Sequence, residues 1–424
     1  MLEKSPATIE AGTTTSVRLS DNEFRRLSFA DKRAYLDTVP PKERMALILD
    51  DPDDKKLARA MQPQELYWLL KENGAADSVE LLALASPQQC VFILDMELWR
   101  GWAFQEEQAV EYLGYILKGG EDHFLELLPH LDFNILSLLL GREIIVAGGI
   151  GDLNSDEERQ TDWDHTFDDV FLIKFKNPEH AVIIGFFLEL VCRFDNSLYV
   201  ALMESVSGEV DIESEEECYR IKSGRLADLG FPPHDEAIQI YSRINPATFT
   251  PASDKELLQT GEMGTLPETY LSGKTFLERV IARMDSELFR QELNYLINTA
   301  LVADEAPFAD MEYMGSVMER VHGYLNIALE YLSKGDEAKG VEIITGEHLK
   351  RLFQLGFSII IALKIRADKL TEADYAAGKV LSGLKRARPA FYRGLDSDGI
   401  DAYREFREMQ DVTKTSDFLT ELEG

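Results

Sequence analysis

Three prolines that open similar apolar stretches constrain the fold of this chain more than any other sequence feature. Pro41, Pro63 and Pro87 are spaced by 22 and 24 residues, and each is followed two residues later by Glu or Gln. Proline fits the first position of a helix, because its missing N–H has no helical partner there. The pattern therefore predicts a series of short helices that begin at prolines. Ser86 with Gln89 adds the sequence of a capping box.

A fourth apolar run, Asp132–Leu140, starts 45 residues after Pro87, close to two further periods. A short helix of this kind cannot bury its apolar face alone, so neighbouring units have to stack on one another. The sequence therefore predicts a helical-repeat domain over residues 38–147. A polar N-terminal segment with a first helix is expected before it, at residues 1–37.

The repeated Pro-x-Glu/Gln-x-apolar-apolar-x-apolar-Leu pattern resembles the cytosolic N-terminal superhelix of the MgtE magnesium transporters, over about residues 38–141. It is also similar to the helical repeats of the flagellar motor switch protein, and the whole chain resembles an uncharacterised bacterial family of unknown function. The resemblance implies a right-handed superhelix. The paired nucleotide-binding-type domains and the membrane domain that follow in MgtE have no counterpart in this sequence, so no metal-binding residue is carried over.

Beyond the repeats the sequence alternates between breaks and helical runs. Four further segments are predicted: an acidic junction at 148–176 with at most a small β element near 168–176, a middle helical region at 177–246, a linker at 247–273 and a C-terminal helical domain at 274–424. In the middle region one long helix is expected from Asn177-Pro178 to about Ser205. Leu349–Ile365 is expected at the centre of the C-terminal domain, and Thr371 with Asp374 to open the next helix. The predicted fold class is all-α, a superhelix followed by a helical bundle.

The charge of the chain narrows the range of partners. Its net charge is −32, from 76 acidic and 44 basic residues. Such a field repels nucleic-acid phosphates and anionic lipid, so neither is an expected partner. Solubility alone explains the charge, and a basic protein partner or divalent cations are the alternatives. The oligomeric state stays open.

Apolar runs and cysteines indicate the compartment. The most apolar run, Ala181–Phe194, has 14 residues and contains Glu189 and Arg193, whereas a membrane span needs about 20 apolar residues. We therefore interpret it as a buried helix. The three cysteines lie far apart, which argues against a disulfide framework and favours a reducing compartment. The expected location is cytoplasmic.

Recognisable catalytic motifs are absent from the sequence. Gly149-x-Gly151-x-x-Asn154 lacks the third glycine of a dinucleotide-binding turn, and the histidine spacings match no zinc helix. His234-Asp235-Glu236 is either a base with its orienting carboxylate or the polar start of a helix, and a cysteine–histidine pair remains open. A non-enzymatic interaction or scaffold protein is the first hypothesis, and an enzyme of unrecognised class is the last of three.

The second hypothesis is a divalent-cation-responsive regulator that uses the acidic junction. An EF-hand-like loop would begin at residue 152, but its sixth position is Glu157 instead of glycine and its twelfth is Trp163 instead of glutamate. The junction is therefore either a solvated linker or a weak Mg²⁺ or Ca²⁺ site, with no other cofactor expected. The candidate ligands are Asp152, Asn154, Asp156, Asp162 and Asp164.

Aromatic side chains of the repeat region are the first candidates for binding a protein partner. They are Tyr67, Trp68, Trp99 and Trp102. Tryptophan and tyrosine are enriched at binding hot spots. Helical repeats also bury aromatic residues in their cores, so core packing is the alternative interpretation.

A basic segment supplies the second set of candidates, Arg386 and Arg388. Ten bases and four acids lie between Glu347 and Arg393. Such a segment could bind an acidic peptide, a phosphate or RNA. Alternatively, its bases complement a helix C-terminus ahead of Pro389 or dock against acidic parts of the same chain. We favour this internal interpretation.

Overall fold

The computed structural model describes residues 19–148, 163–208, 212–253, 255, 275–284, 286–305, 311–371 and 374–424. Helices make up 69% of these residues and strands 5%. The predicted all-α class is thereby confirmed for the described part of the chain. The strands form three two-stranded antiparallel sheets.

The helices and strands follow one another in this order: α1 (Asp21–Phe24), α2 (Phe29–Leu36), α3 (Pro41–Leu49), α4 (Asp54–Arg59), α5 (Pro63–Asn73), α6 (Val79–Leu84), α7 (Pro87–Glu97), β1 (Trp99–Arg100), β2 (Ala103–Phe104), α8 (Glu106–Lys118), α9 (Glu121–Leu127), α10 (Phe133–Glu143), β3 (Ile144–Gly148), β4 (Phe171–Phe175), α11 (Ala181–Phe194), α12 (Asn196–Ser207), α13 (Ile212–Asp228), α14 (His234–Ala237), α15 (Phe276–Ile281), α16 (Glu287–Ala303), α17 (Met311–Ser333), α18 (Glu337–Gly346), α19 (Leu349–Ala367), α20 (Tyr375–Leu384), β5 (Phe391–Tyr392), β6 (Tyr403–Arg404) and α21 (Met409–Glu423).

The proline-opened helices form as the sequence predicts. Pro41, Pro63 and Pro87 begin α3, α5 and α7. Ser86 and Gln89 make the predicted capping box, with the Ser86 N–H 2.8 Å from the Gln89 side-chain oxygen. Alternate helices pack together, α3 on α5 and α5 on α7 in one row, α4 on α6 and α6 on α8 in the other. The two middle helices, α5 and α6, thus each contact the helix two before and the helix two after them in the chain.

The predicted β element near residues 168–176 is present as β4. Its partner is β3, with Ile144 opposite Phe175 and Gly148 opposite Phe171. Ile144 and Ile173 point into the core, 1% and 0% exposed. The pairing strand was not predicted, because its apolar run directly follows α10 without a turn signal.

The predicted long helix of the middle region is wrong, because it breaks at Asp195. The Asp195 backbone (φ −140°, ψ 78°) leaves the helical region between α11 and α12, and its carboxylate accepts the Leu198 N–H at 3.0 Å. An aspartate that caps a following helix competes with continuation of the preceding one. The two shorter helices pack on each other. The interpretation of α11 as buried also needs correction, since Val182 on its outer face is 80% exposed.

The predicted central helix of the C-terminal region is confirmed. Most side chains of α19 are buried, and the helix packs along α17. The contact is close because Gly356 has no side chain: a Cβ there would overlap the carbonyl oxygen of Tyr324. The predicted opening of the next helix at Thr371 is shifted. Asp374 is the N-cap of α20 and accepts the Ala377 N–H at 2.8 Å.

The repeat region and the C-terminal helices share one core. The buried apolar side chains form a continuous cluster that extends from Phe24 to Leu419. A buried hydrogen bond of 2.8 Å from the Gln64 amide to the Asn298 side-chain oxygen joins α5 to α16. Most of the predicted linker, residues 254 and 256–273, lies outside the described residues.

Candidate functional site

A short hairpin interrupts the repeat helices between α7 and α8. Strands β1 and β2 pair Trp99 with Phe104 and Arg100 with Ala103, which leaves Gly101 and Trp102 as a two-residue turn. Gly101 has φ +57°, and glycine at the first central position is what a type II′ hairpin turn requires. The turn holds Trp102 at the tip of a tight loop.

Core contacts on the strands fix this hairpin in place. The Trp99 ring, 7% exposed, packs edge-on against Phe104 and Tyr219 with ring centroids 5.4 and 5.6 Å apart. The Phe104 N–H donates to a Glu215 carboxylate oxygen at 2.8 Å, and Arg142 pairs with the same carboxylate. Glu215 and Tyr219 belong to α13, so a helix distant in sequence anchors the hairpin.

The tip of the hairpin projects into solvent. Trp102 is 76% exposed, and Arg100 beside it is also exposed. No side-chain hydrogen bond or ion pair holds Arg100 among the residues that the structure describes. Indole and guanidinium groups are the side chains that most often dominate protein interfaces. A rigidly held, solvated pair of this kind is suited to binding.

The other predicted aromatic candidates are core residues, which corrects their assignment to partner binding. Tyr67 and Trp68 are 0% and 2% exposed. The Tyr67 hydroxyl donates to Glu97 at 2.6 Å, and burial raises its pKa well above the usual value. Trp99 anchors the hairpin from below. Tyr67 and Trp68 lie on α5, which packs between α3 and α7, and the Tyr67 ring packs edge-on against Phe92 of α7 with centroids 5.9 Å apart.

Arg388 is a structural residue, which corrects its assignment to partner binding. Its guanidinium contacts Asp304 at 2.7 Å and lies 3.5 Å from the Tyr241 ring centroid. Arg386 is exposed and stacks on the Tyr403 ring, 4.0 Å from the centroid. The interpretation in which the basic segment docks against acidic residues of the same chain thus holds for Arg388.

Asp304 is the centre of a buried charge cluster of two carboxylates and two guanidinium groups. Arg320, 5% exposed in its side chain, pairs with Asp304 and contacts Glu405 at 2.8 Å. The Tyr241 hydroxyl donates to Asp304 at 2.9 Å, and burial together with that carboxylate raises the pKa of Tyr241. The formal charges cancel, so the cluster joins distant elements without leaving an unpaired charge.

A cysteine and a histidine do come together, but in the core. The Cys90 sulfur lies 3.8 Å from Nε2 of His123, and the two residues are 1% and 7% exposed. Burial raises the pKa of the Cys90 thiol to about 12 and lowers that of His123. Both groups therefore stay neutral near pH 7, whereas a nucleophilic cysteine requires a thiolate.

His234 lies on an open surface at the start of α14. Its Nδ1 is 3.2 Å from the Val302 carbonyl oxygen, and its Nε2 is 3.6 Å from Glu305, a carboxylate with 74% exposure. A base that works with an orienting carboxylate is expected in an enclosed site. The geometry instead resembles the polar end of a helix.

The proposed metal ligands of the junction fall mostly outside the described residues. Of that set only Asp164 is described, and it accepts the N–H of Phe175, the last residue of β4, at 2.8 Å. Within the described ranges, no group of three or more His, Cys, Asp or Glu side chains is arranged to hold a metal ion. The other four candidates, Asp152, Asn154, Asp156 and Asp162, are not described.

None of the described helices by itself is long and apolar enough to span a bilayer. Residues 121–130 and 133–143 reach that length only together, with a bend of 113° between them.

The hairpin is the feature that sequence reasoning missed. Its signal was present as Trp-Arg-Gly-Trp-Ala-Phe, in which a glycine between aromatic residues marks a two-residue turn. The hairpin lies between two helical stretches, α7 and α8, so the sequence was interpreted as helical throughout.

Comparison with known proteins gives a family for the whole chain. No curated protein and no solved structure matches it. A family model, described as a family of unknown function (DUF6178), matches residues 21–424. The match covers the proline-opened helices, the hairpin and the C-terminal helices, so the chain belongs to the DUF6178 family.

Proposed function

We propose that this protein is a non-enzymatic interaction protein that binds a protein partner through its helical-repeat region, with Trp102 at the centre of the contact surface. The observation that carries the proposal is the 76% exposure of Trp102 at the tip of an anchored hairpin. A large apolar ring costs free energy in water, and a tight turn presents it with little loss of conformational entropy on binding.

The arrangement of the repeats supports the same proposal. Alternate helices of the region pack on one another in two rows, and stacked repeats of a superhelix create extended binding surfaces. The hairpin projects from this stack between α7 and α8. The right-handed superhelix that the MgtE resemblance implies is part of the proposal.

Charge indicates the kind of protein that would bind. The chain carries −32, and Glu106 and Glu107 are exposed in the first turn of α8, directly after the hairpin. A partner with an apolar pocket for Trp102, basic residues facing Glu106 and Glu107, and a hydrogen-bond acceptor facing Arg100 fits this surface, since complementary charge accelerates association. Binding is therefore expected to weaken as salt is added.

Site-specific photocrosslinking in the native host tests the proposal. A benzophenone amino acid replaces Trp102 in one variant and Tyr375 in a control. Tyr375 is 68% exposed, but its hydroxyl bonds to Asp401 at 2.7 Å, far along the chain from the repeats. We expect one dominant protein adduct from position 102 and none of that mass from position 375.

Quantitative binding to the captured protein then tests the role of the indole. Trp102→Ala is expected to weaken binding by about 2 kcal/mol or more, roughly thirtyfold in Kd, as at an interface hot spot. Its circular dichroism and Tm should match the wild type because the ring makes few contacts in the free protein. No adduct at position 102, or unchanged affinity of the alanine variant, would refute the proposal.

A further inference from the structure

A cavity separate from the hairpin lies between three parts of the chain. They are α16, the segment 232–240 that contains α14, and the first turn of α19. The cavity volume is about 320 Å³, within the range of about 300–1,000 Å³ of small-molecule sites. The proposed protein interaction uses none of its residues. The cavity lining includes the apolar residues Ile240, Leu288 and Leu296 and the charged residues Glu236, Glu292, Lys350 and Arg351.

One wall of the cavity is apolar. Ile240 and Leu296 are almost fully covered by the core behind them, 0% and 3% exposed, whereas Leu288 at the entrance is 48% exposed. A leucine left half in water beside a cavity gains apolar contact when a ligand enters. This wall suits a small aliphatic or aromatic group.

Two of the charged residues around the cavity are neutralised by the protein itself. Glu292 contacts the Lys255 ammonium at 2.7 Å and accepts the Leu349 N–H at 2.9 Å. Arg351 pairs at 2.9 Å with Glu347, whose side chain is fully buried. The Glu292 contact with the Leu349 N–H holds the first turn of α19 against α16, so the wall is built before any ligand arrives.

Two opposite charges on the lining remain without such a partner. Neither Lys350 nor Glu236 forms a side-chain hydrogen bond or ion pair with any residue that the structure describes. Lys350 lies in the first turn of α19, a helix of 19 residues, where the helix dipole adds to its attraction for an anion. Glu236 lies on α14 and also lines the cavity.

We propose that this cavity binds a small zwitterion with an apolar side chain, of the α-amino-acid class. Its carboxylate lies at Lys350 and its ammonium group at Glu236, while the side chain packs against Leu288 and Ile240. A ligand with both charges satisfies both lining groups, whereas a purely anionic ligand meets the Glu236 carboxylate and a purely cationic one meets the Lys350 ammonium. Each unmatched charge costs part of the affinity.

Isothermal titration calorimetry of the full chain tests the assignment. The probes are L-leucine and L-phenylalanine, with 3-phenylpropanoate and phenethylamine as analogues of phenylalanine that each lack one charge. We expect at least one amino acid to bind, and each analogue of phenylalanine to bind about tenfold more weakly or worse, the equivalent of about 1.4 kcal/mol. No binding by either amino acid, or equal binding by one of the analogues, would overturn the proposal.

Variants connect that binding to the cavity. Lys350→Ala and Glu236→Gln should each weaken amino-acid binding by about tenfold or more. Lys369→Ala is the matched control, because Lys369 is equally exposed and follows the opposite end of α19. All three residues are exposed, so an unchanged Tm is expected and shows that folding is intact. A loss of binding in the control as large as in Lys350→Ala would place the ligand elsewhere.

Discussion

Replacement of Asp304 by alanine should be among the most destabilising changes outside the apolar core. Its carboxylate, 2% exposed, receives the Tyr241 hydroxyl at 2.9 Å and the guanidinium groups of Arg320 and Arg388. Only Glu405 would remain to balance two positive charges. The buried cluster would change from neutral to a net charge of +1.

The structure sets the size of the effect. Removal of one partner from a buried ion pair costs about 3–5 kcal/mol, because the charge that remains cannot return to water. Arg320 is confined in this way, with 5% of its side chain exposed, whereas Arg388 is 29% exposed and can turn toward solvent. Arg388→Ala leaves Asp304 paired with Arg320, so its cost should be that of a lost charged hydrogen bond, about 1.5–3 kcal/mol.

Urea unfolding followed by circular dichroism measures these differences, and hydrogen exchange of the α17 amides localises them. The matched control is Glu319→Ala, which removes the neighbour of Arg320 on the same helix. Glu319 pairs with Arg407 at 3.3 Å, and both side chains are about half exposed, so a change of about 0–1 kcal/mol is expected. If Asp304→Ala costs no more than this control, the cluster does not act as a buried network.

Three further outcomes follow from the packing. Gly356→Ala should destabilise the protein by about 1–3 kcal/mol, because its Cβ would overlap the Tyr324 carbonyl oxygen. The control Gly224→Ala lies at an exposed helix position with open space around it and should instead stabilise the protein by about 0.5–1 kcal/mol. Equal effects of the two variants in urea unfolding would contradict the close contact at Gly356. Iodoacetamide at pH 8 should modify Cys192, which is partly exposed, and spare the other two cysteines, since burial raises their pKa values to about 12; peptide mass spectrometry detects any other pattern. Asp195→Ala should cost about 1 kcal/mol through loss of the α12 cap, and an unchanged urea midpoint would show that the cap contributes nothing.

Local sequence signals were sufficient for the elements whose boundaries depend on nearby residues. Pro41, Pro63 and Pro87 predicted three helix starts, since a missing N–H and a fixed φ act within one turn. The apolar run that forms α19 also predicted a central helix. A helix with so few polar side chains has no face that is stable in water, so it has to be buried.

Boundaries that depend on competition between neighbours were less predictable. Asp195 lies between the apolar run Ala181–Phe194 and a second apolar run that begins at Leu198, and the sequence favoured one helix through both. The carboxylate caps α12 instead, and the two shorter helices pack on each other, a contact that a single straight helix could not make and that buries apolar surface.

The candidate binding surface was decided by the tertiary structure. Sequence alone placed Trp68, Trp99 and Trp102 in one class of aromatic residues, because composition does not distinguish a covered ring from a solvated one. Packing of α5 between α3 and α7 covered Trp68, and α13, more than a hundred residues along the chain, covered Trp99. Only Trp102 stayed in water, since a two-residue turn left no neighbour to pack on it. The same distinction applies to charge. The sequence alone determined the excess of basic residues near Arg388 in an otherwise acidic chain. Only the fold brought the Asp304 carboxylate to Arg388, because an ion pair depends on distance in space and not on distance in sequence.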